Sequence, residues 1–290
     1  MFEGFTQRRI PANGININVR TKGDGPPLLL LHGYPQSHVM WHRVAGPLAE
    51  RFTVVCADLR GYGDSDKPAG GGDHMAYAKR TMAQDMVEVM ASLGFARFSV
   101  AGHDRGGRVA YRMAFDHPEV VTKVATLDIV PTHSQFRRMD WRGSLGGYHW
   151  YFLAQPEPLP ERLIGFDPVF YLHNSLKRWA APEFTFDAAA MAEYERCYSD
   201  PATVHASCED YRAGATVDFA IDDADYGKRK IQPPLLALWG DRGGNQRATF
   251  IETWQEWAED VRGAGIPSGH FIPEEAPEAT VKALAEFLAE

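Results

Sequence analysis

The chain has 290 residues, 44% hydrophobic and 23% charged, ordinary globular proportions that exclude wholesale disorder. Its 30 basic residues against 38 acidic ones leave a formal net charge of −8, a poor match to a long phosphate backbone. Nucleic acid is therefore not an expected partner, whereas a locally positive pocket could still take a small anion.

The length suits one large α/β domain or a core with one inserted subdomain. The 3 cysteines, Cys56, Cys197 and Cys208, form no CxxC pair and no disulfide framework, which fits reduced thiols. The segment Met1-Phe2-Glu3-Gly4 lacks the basic stretch and apolar run of a signal peptide. The longest aliphatic run, Leu28 to Leu31, is far too short for a membrane span. A soluble, cytoplasmic protein with no membrane partner is expected.

In chain order, Ile15 to Arg20 alternates with period two, and Pro27 to Leu31 reads as a buried strand ending in His32-Gly33. Trp41 to Glu50 has helical spacing, and Thr53 to Ala57 is a β-branched run. Met82, Met86, Val89 and Leu93 make Tyr77 to Leu93 an amphipathic helix. A strand at Phe98 to Ala101 leads into a helix at Arg108 to Phe115, stopped near His117-Pro118, and Val121 to Leu127 is the next strand. Alternation of this kind predicts an α/β fold with a mostly parallel sheet covered on both faces.

The pattern changes after Pro131. Residues 132–226 show few clean strands, many aromatics and several prolines, which predicts an inserted helical cap. A strand returns at Leu235 to Trp239, and helices follow at Thr249 to Trp257 and Ala279 to Leu288. The expected division is a core of residues 1–131 and 227–290, split by a cap of residues 132–226.

Gly102-His103-Asp104-Arg105-Gly106 lies between a strand and a helix. A nucleophile elbow has this form, with small residues two before and two after a side chain thrust up at a tight turn. Asp is also a common helix N-cap, and these five residues alone leave the two readings about even. Three other segments favour the elbow: His32-Gly33-Tyr34-Pro35 after one strand, Asp58 to Ser65 after the next, and His270 ahead of the last helix.

With these segments in place, the chain resembles the α/β-hydrolase superfamily along nearly all its core. An Asp where most members carry Ser narrows the resemblance to dehalogenases and epoxide hydrolases. The finer resemblance is to fluoroacetate (haloacetate) dehalogenases, carried by Asp104-Arg105-Gly106-Gly107-Arg108, by His149-Trp150 and by Tyr211. Those other relatives usually place Trp directly after the nucleophile, where this chain has Arg105.

The resemblance implies Asp104 as nucleophile, His270 as the base that activates water, and backbone N–H groups of Tyr34 and Arg105 as oxyanion donors. The carboxylate that orients His270 lies, in many relatives, three residues beyond the Gly after the post-cap strand. Here that position is Gly243, with Asp241 nearby. The alternative is the end of the strand before the cap, where Leu127-Asp128-Ile129 supplies Asp128. Apolar flanks leave that carboxylate little structural reason to be there, so Asp128 is the expected acid. The echo Asp241-Arg242-Gly243-Gly244 is treated as chance.

Arg105 and Arg108 are three apart at a helix start, so they share a face, and two cations there oppose the helix dipole. An anionic substrate is one reason for them, since a guanidinium fork suits a carboxylate. Pairing with neighbouring acids is the plain alternative. The resemblance assigns His149, Trp150 and Tyr211 to halide binding, although each alone would pass as a cap residue packing on the core. His32, His103, Tyr34 and Trp179 are weaker pocket candidates.

No HExxH, no Cys/His cluster and no GxGxxG after the first strand point to a metal or cofactor, and none is expected. The expected activity is hydrolytic dehalogenation of a short 2-haloacid. Epoxide hydrolysis with the same Asp and His is the rival, and a non-catalytic ligand receptor is a third reading. The resemblance also implies a homodimer.

Overall fold

The computed structural model describes residues 1–242 and 247–290. Gly243, the position of the acid in many relatives, and Gly244, the end of the second Asp-Arg-Gly-Gly string, lie outside the described residues.

Eight strands form one sheet: β1 (Thr6–Ala12), β2 (Ile15–Lys22), β3 (Pro27–Leu31), β4 (Thr53–Ala57), β5 (Phe98–His103), β6 (Val121–Leu127), β7 (Leu235–Gly240) and β8 (Val261–Ile266). Their spatial order is β1-β2-β4-β3-β5-β6-β7-β8. β2 runs antiparallel to β1 and to β4, and every other neighbouring pair is parallel. The parallel strands in the middle are buried on both faces, which is why Pro-Leu-Leu-Leu-Leu in β3 and Leu-Leu-Ala-Leu-Trp-Gly in β7 are continuous apolar runs without alternation.

The two edge strands escape a reading of hydrophobic pattern, each for its own reason. β1 is Thr-Gln-Arg-Arg-Ile-Pro-Ala, mostly exposed, with the charges and proline that keep an edge from pairing with another chain. Its hairpin to β2 turns at Asn13-Gly14, both at positive φ, as a two-residue connection requires. β8 contains Gly263 and Gly265, and a Cβ on either would press on the indole of Trp239 at 3.0–3.1 Å. Close packing on a tryptophan replaced the apolar signal a strand normally carries.

Short helix α1 (Ala45–Leu48), α2 (Lys79–Ser92) and α3 (Arg105–Asp116) lie within the first half of the sheet connections. Between β6 and β7 come α4 (Thr132–Arg138), α5 (Trp141–Gly146), α6 (Tyr148–Phe152), α7 (Leu159–Phe166), α8 (Pro168–Trp179), α9 (Ala188–Tyr198), α10 (Pro201–Ala213) and α11 (Phe219–Asp225), with no strand in the sheet. A π-helical turn, Gly214–Asp218, joins α10 to α11. α12 (Arg247–Trp257), α13 (Ile272–Glu275) and α14 (Pro277–Ala289) complete the chain.

Four of the helices between β6 and β7 start at a capping Asp. Asp167 and Asp200 accept hydrogen bonds from first-turn N–H groups of α8 and α10, each followed by Pro at the first helical position. Asp140 and Asp187 cap α5 and α9 in the same way. Among the described residues no helix is long and apolar enough to cross a membrane.

Candidate active site

Asp104 falls between the last residue of β5 and the first of α3. Its backbone is at φ 46° and ψ −114°, a conformation that costs a non-glycine residue about 1–3 kcal/mol. Its carboxylate makes no cap hydrogen bond to α3, unlike the four capping aspartates of the inserted helices. The N-cap reading of this residue therefore fails, and the turn has the shape of an elbow.

Crowding explains the small residues around it. A Cβ on Gly102 would lie 2.3 Å from the Gly106 carbonyl oxygen, and one on Gly106 would lie 2.4 Å from the His32 carbonyl oxygen. Gly33 is under the same pressure, because a Cβ there would meet Asp104 Cβ at 2.5 Å.

Asp104 Oδ1 accepts a hydrogen bond from the Tyr34 N–H at 2.9 Å. Its Oδ2 is 3.9 Å from His270 Nε2, too long for a direct hydrogen bond. His270 Nδ1–H donates to Asp128 Oδ2 at 2.6 Å, and Asp128 Oδ1 accepts from the Gly240 N–H at 2.9 Å. Asp128 is thus the carboxylate on His270. Asp241 is exposed, and its N–H bonds the Ile266 carbonyl across the end of the sheet.

The His270 backbone is also held: its N–H donates to the Trp179 carbonyl at the end of α8, and its carbonyl accepts from His103 Nε2–H at 2.8 Å. Burial holds His103 down to a pKa of about 3, so that ring is a neutral prop under His270. His32 is a prop as well. Its Nδ1–H donates to the Gly33 carbonyl and its Nε2 accepts from the Leu59 N–H, which spends both nitrogens within the protein.

Charge tunes Asp104 and His270 in opposite directions. Burial alone would raise the pKa of Asp104, but His270 and the guanidiniums of Arg105 and Arg108 outweigh it and bring the value below the usual carboxylate. Burial alone would discharge His270, but the hydrogen bond and charge of Asp128, with Asp104 adding, raise its pKa above the ordinary imidazole.

A cavity of about 550 Å³ opens over these residues. Asp104, Asp128, Arg108 and His270 line it from the sheet side, and Gln135, His149, Trp150, Arg178 and Trp179 from the inserted helices. Arg108 Nη1 donates to the Val130 carbonyl and to Thr132 Oγ1, its guanidinium lies 4.4 Å from the Trp150 ring, and its Nε has no partner among the described residues.

Arg105 differs from Arg108. It is fully buried, Nε and Nη2 bond the Asp210 carboxylate at 3.0 and 2.6 Å, and Nη2 also bonds the Asp210 carbonyl. Pairing with a neighbouring acid thus accounts for one side of this fork, while Nη1 has no partner among the described residues. Tyr211 stacks on the Arg105 guanidinium at 4.2 Å, the His149 and Tyr211 ring centres are 5.7 Å apart, and Trp150 lies 5.4 Å from Tyr211. Burial lowers the His149 pKa to about 3, so the ring is neutral, and its Nδ1 has no partner among the described residues.

The structure therefore gathers Asp104, His270, Asp128, Arg105, Arg108, His149, Trp150, Tyr211 and the Tyr34 N–H around one place. Reading the sequence missed Gln135 and Arg178 on the cavity wall and Asp210 behind Arg105. Asp210 stands directly before Tyr211, yet nothing in the chain links it to a residue 105 positions earlier.

An Asp at a strained strand-to-helix elbow, faced by a His–Asp pair at the ends of later strands, defines the class. Residues 26–277 match the alpha/beta hydrolase fold, and the chain belongs to that family. It is 46% identical over 292 aligned residues to the fluoroacetate dehalogenase of Burkholderia sp, spanning 100% of this chain and 96% of that one. It is 34% identical to the soluble epoxide hydrolase of Corynebacterium sp. (strain C12), over 98% of both chains. The crystal structure of an alpha/beta hydrolase from Nostoc sp PCC 7120 superposes with a TM-score of 0.96 at 52% identity, covering 99% of both chains.

Proposed function

We propose that the protein is a hydrolytic dehalogenase of short 2-haloacids such as fluoroacetate, yielding the 2-hydroxy acid and halide. The observation that carries this reading is an ionised, uncapped Asp104 facing a cavity beside two buried guanidiniums that keep unpartnered N–H groups. Two anions, nucleophile and substrate, meet only where cations offset their repulsion. Arg108 Nε and Arg105 Nη1 would hold the substrate carboxylate.

In this reading Asp104 Oδ2 attacks the carbon that bears halogen, forming an ester as halide departs. The neutral His149 ring, Trp150 indole N–H and Tyr211 hydroxyl would donate to the leaving halide, where charge grows in the transition state. Esterification removes the Asp104 charge, one of the influences raising His270, so the imidazole discharges more readily at the step where it must act as a base. His270, oriented by Asp128, would then activate water to attack the Asp104 carboxyl carbon. Oδ1 becomes the oxyanion, already bonded by the Tyr34 N–H and completed by the Arg105 N–H at the start of α3. Residues 132–226 act as a cap over a core of 1–131 and 227–290, in a homodimer that needs no cofactor.

The identity to an epoxide hydrolase supports a second reading. Epoxide opening would call on tyrosines of the inserted helices, where Tyr211 packs on Arg105 and His149 and Tyr151 is 40% exposed. An uncharged epoxide would also give Arg105 Nη1 and Arg108 Nε no anion to bind. Fluoride and chloride release from fluoroacetate and chloroacetate, measured beside hydrolysis of styrene oxide, tests the choice. Halide release with little epoxide turnover is expected. Epoxide turnover without halide release would reverse the assignment, and no turnover of either would favour a ligand receptor.

A further inference from the structure

We propose that Lys79 and Asp210 are positioning residues that hold Arg105 with Nη1 toward the substrate carboxylate, acting through Arg105 and touching no substrate themselves. The inference rests on the haloacid reading above.

Arg105 has five N–H donors in a fixed fork. Asp210 takes the Nε donor at 3.0 Å and one Nη2 donor at 2.6 Å, and its own carbonyl takes another from Nη2 at 2.7 Å. The pair on Nη1 is left over, buried and unpartnered. The fork can therefore bind an anion from one side only.

Asp210 is itself saturated. Its Oδ1 also accepts from Lys79 Nζ, and its Oδ2 accepts from the Tyr62 hydroxyl at 2.7 Å. Counted with Arg105, four donors meet the roughly four acceptor sites of one carboxylate, which leaves it no freedom to turn. These partners come from α2, from the loop after β4 and from α3, so three separate elements converge on one residue of α10. Gly214, in the π-helical turn, lets that segment approach: a Cβ there would meet Arg105 Nη2 at 3.1 Å.

With Asp218 beside Lys79, the four groups Arg105, Lys79, Asp210 and Asp218 carry no net formal charge, so the effect of Lys79 lies in how the Asp210 charge is shared. Arg105 and Asp210 alone would cancel, leaving little attraction for an anion. Lys79, almost fully buried, shares the Asp210 carboxylate and also lies 3.5 Å from Asp218 Oδ2. It draws part of the Asp210 charge away from Arg105, and in a buried site that withdrawal is weakly screened.

The test is glycolate affinity by calorimetry, with kcat and KM for chloroacetate and a thermal melt for each variant. Lys79→Met should weaken glycolate and raise KM by about tenfold or more, with kcat within about threefold, and Lys79→Arg should restore most of the affinity. A folded Lys79→Met protein with unchanged glycolate affinity would overturn the proposal. So would a loss in kcat rather than KM, or a Lys79→Arg protein no better than Lys79→Met. Should Lys79→Met fail to fold, Tyr62→Phe removes one neutral hydrogen bond from Asp210, and a loss of about threefold in glycolate affinity is expected. No change there would equally overturn the idea. Wild-type protein that fails to bind glycolate, or Arg105→Lys protein that binds it as wild type, would bring down the haloacid reading itself. A loss in Arg105→Lys with none in Lys79→Met would bring down only this inference.

Discussion

Asp104 Oδ1 and Oδ2 occupy different surroundings, one bonded by the Tyr34 N–H and the other 3.9 Å from His270 Nε2, and the difference sorts their roles. If Oδ2 forms the ester, replacing His270 with Ala should leave alkylation intact and stall hydrolysis. An adduct on Asp104 should then accumulate and be visible as a mass shift on its peptide; a variant that turns over without one would place the attack elsewhere. The pH profile carries a second test. His270 must be neutral to act as a base, and its pKa is raised above 6.5 by Asp128 and Asp104 against the effect of burial. Turnover should therefore fall toward acid pH, with the limb below that raised value because the ester has already removed the Asp104 charge. Asp128→Asn should move the acid limb downward while cutting kcat by roughly 10²–10⁴-fold. A limb that stays in place would assign it to another group. His149, neutral with a pKa of about 3, donates one N–H at any working pH. Its removal should hurt fluoroacetate more than chloroacetate, because fluoride concentrates more charge; equal losses would make it a packing residue.

The loops and helices around the site have costs of their own. An alanine at Gly102 places a Cβ 2.3 Å from backbone, with no side chain able to yield, so Gly102→Ala should destabilise the fold by about 3 kcal/mol or more. A denaturation midpoint at the wild-type value would show that the elbow is not so tightly built. Behind the His270 loop, Glu274 of α13 is buried and bonded by Gln36 and by the Tyr194 hydroxyl at 3.0 Å. Burial dominates and pushes its pKa up to about 8 from an ordinary 4.5. The sign follows from linkage: the folded protein prefers the protonated acid, so its contribution is full below pH 4.5 and is lost as the pH rises toward 8. The slope is roughly 1.4 kcal/mol per pH unit at most. Glu274→Gln cannot ionise and should flatten the decline in melting temperature between pH 5 and 8. Parallel curves for the two proteins would place the decline elsewhere.

At the scale of the molecule, α7 and the start of α8 leave Leu163, Phe166 and Phe170 exposed, Phe166 at 94%. Monomers rarely present so many large apolar side chains together. A homodimer, expected from the resemblance, would cover them, so light scattering should report a dimer that Phe166→Glu shifts toward monomer. A wild-type monomer would rule this out, and a dimer indifferent to Phe166→Glu would move the interface to another face.

Continuity along the chain decided what could be read without coordinates. The central strands are legible because burial on both faces demands unbroken apolar runs. Asp128 stood out as a carboxylate among apolar neighbours at a strand end. Edge strands β1 and β8 did not stand out, since an edge needs charge, proline or glycine more than it needs hydrophobic pattern. Asp104 as cap or elbow was undecidable from five residues; φ, ψ and the missing cap bond decided it. Arg105 as free clamp or paired ion was undecidable too. The answer depends on Asp210 and Lys79, which reach it from α10 and α2, and only folding makes such partners neighbours. Local sterics and burial are written into short stretches of sequence. Which donors of a guanidinium a buried carboxylate takes and which it leaves is set by distances between elements far apart in the chain, so tertiary structure alone determines it.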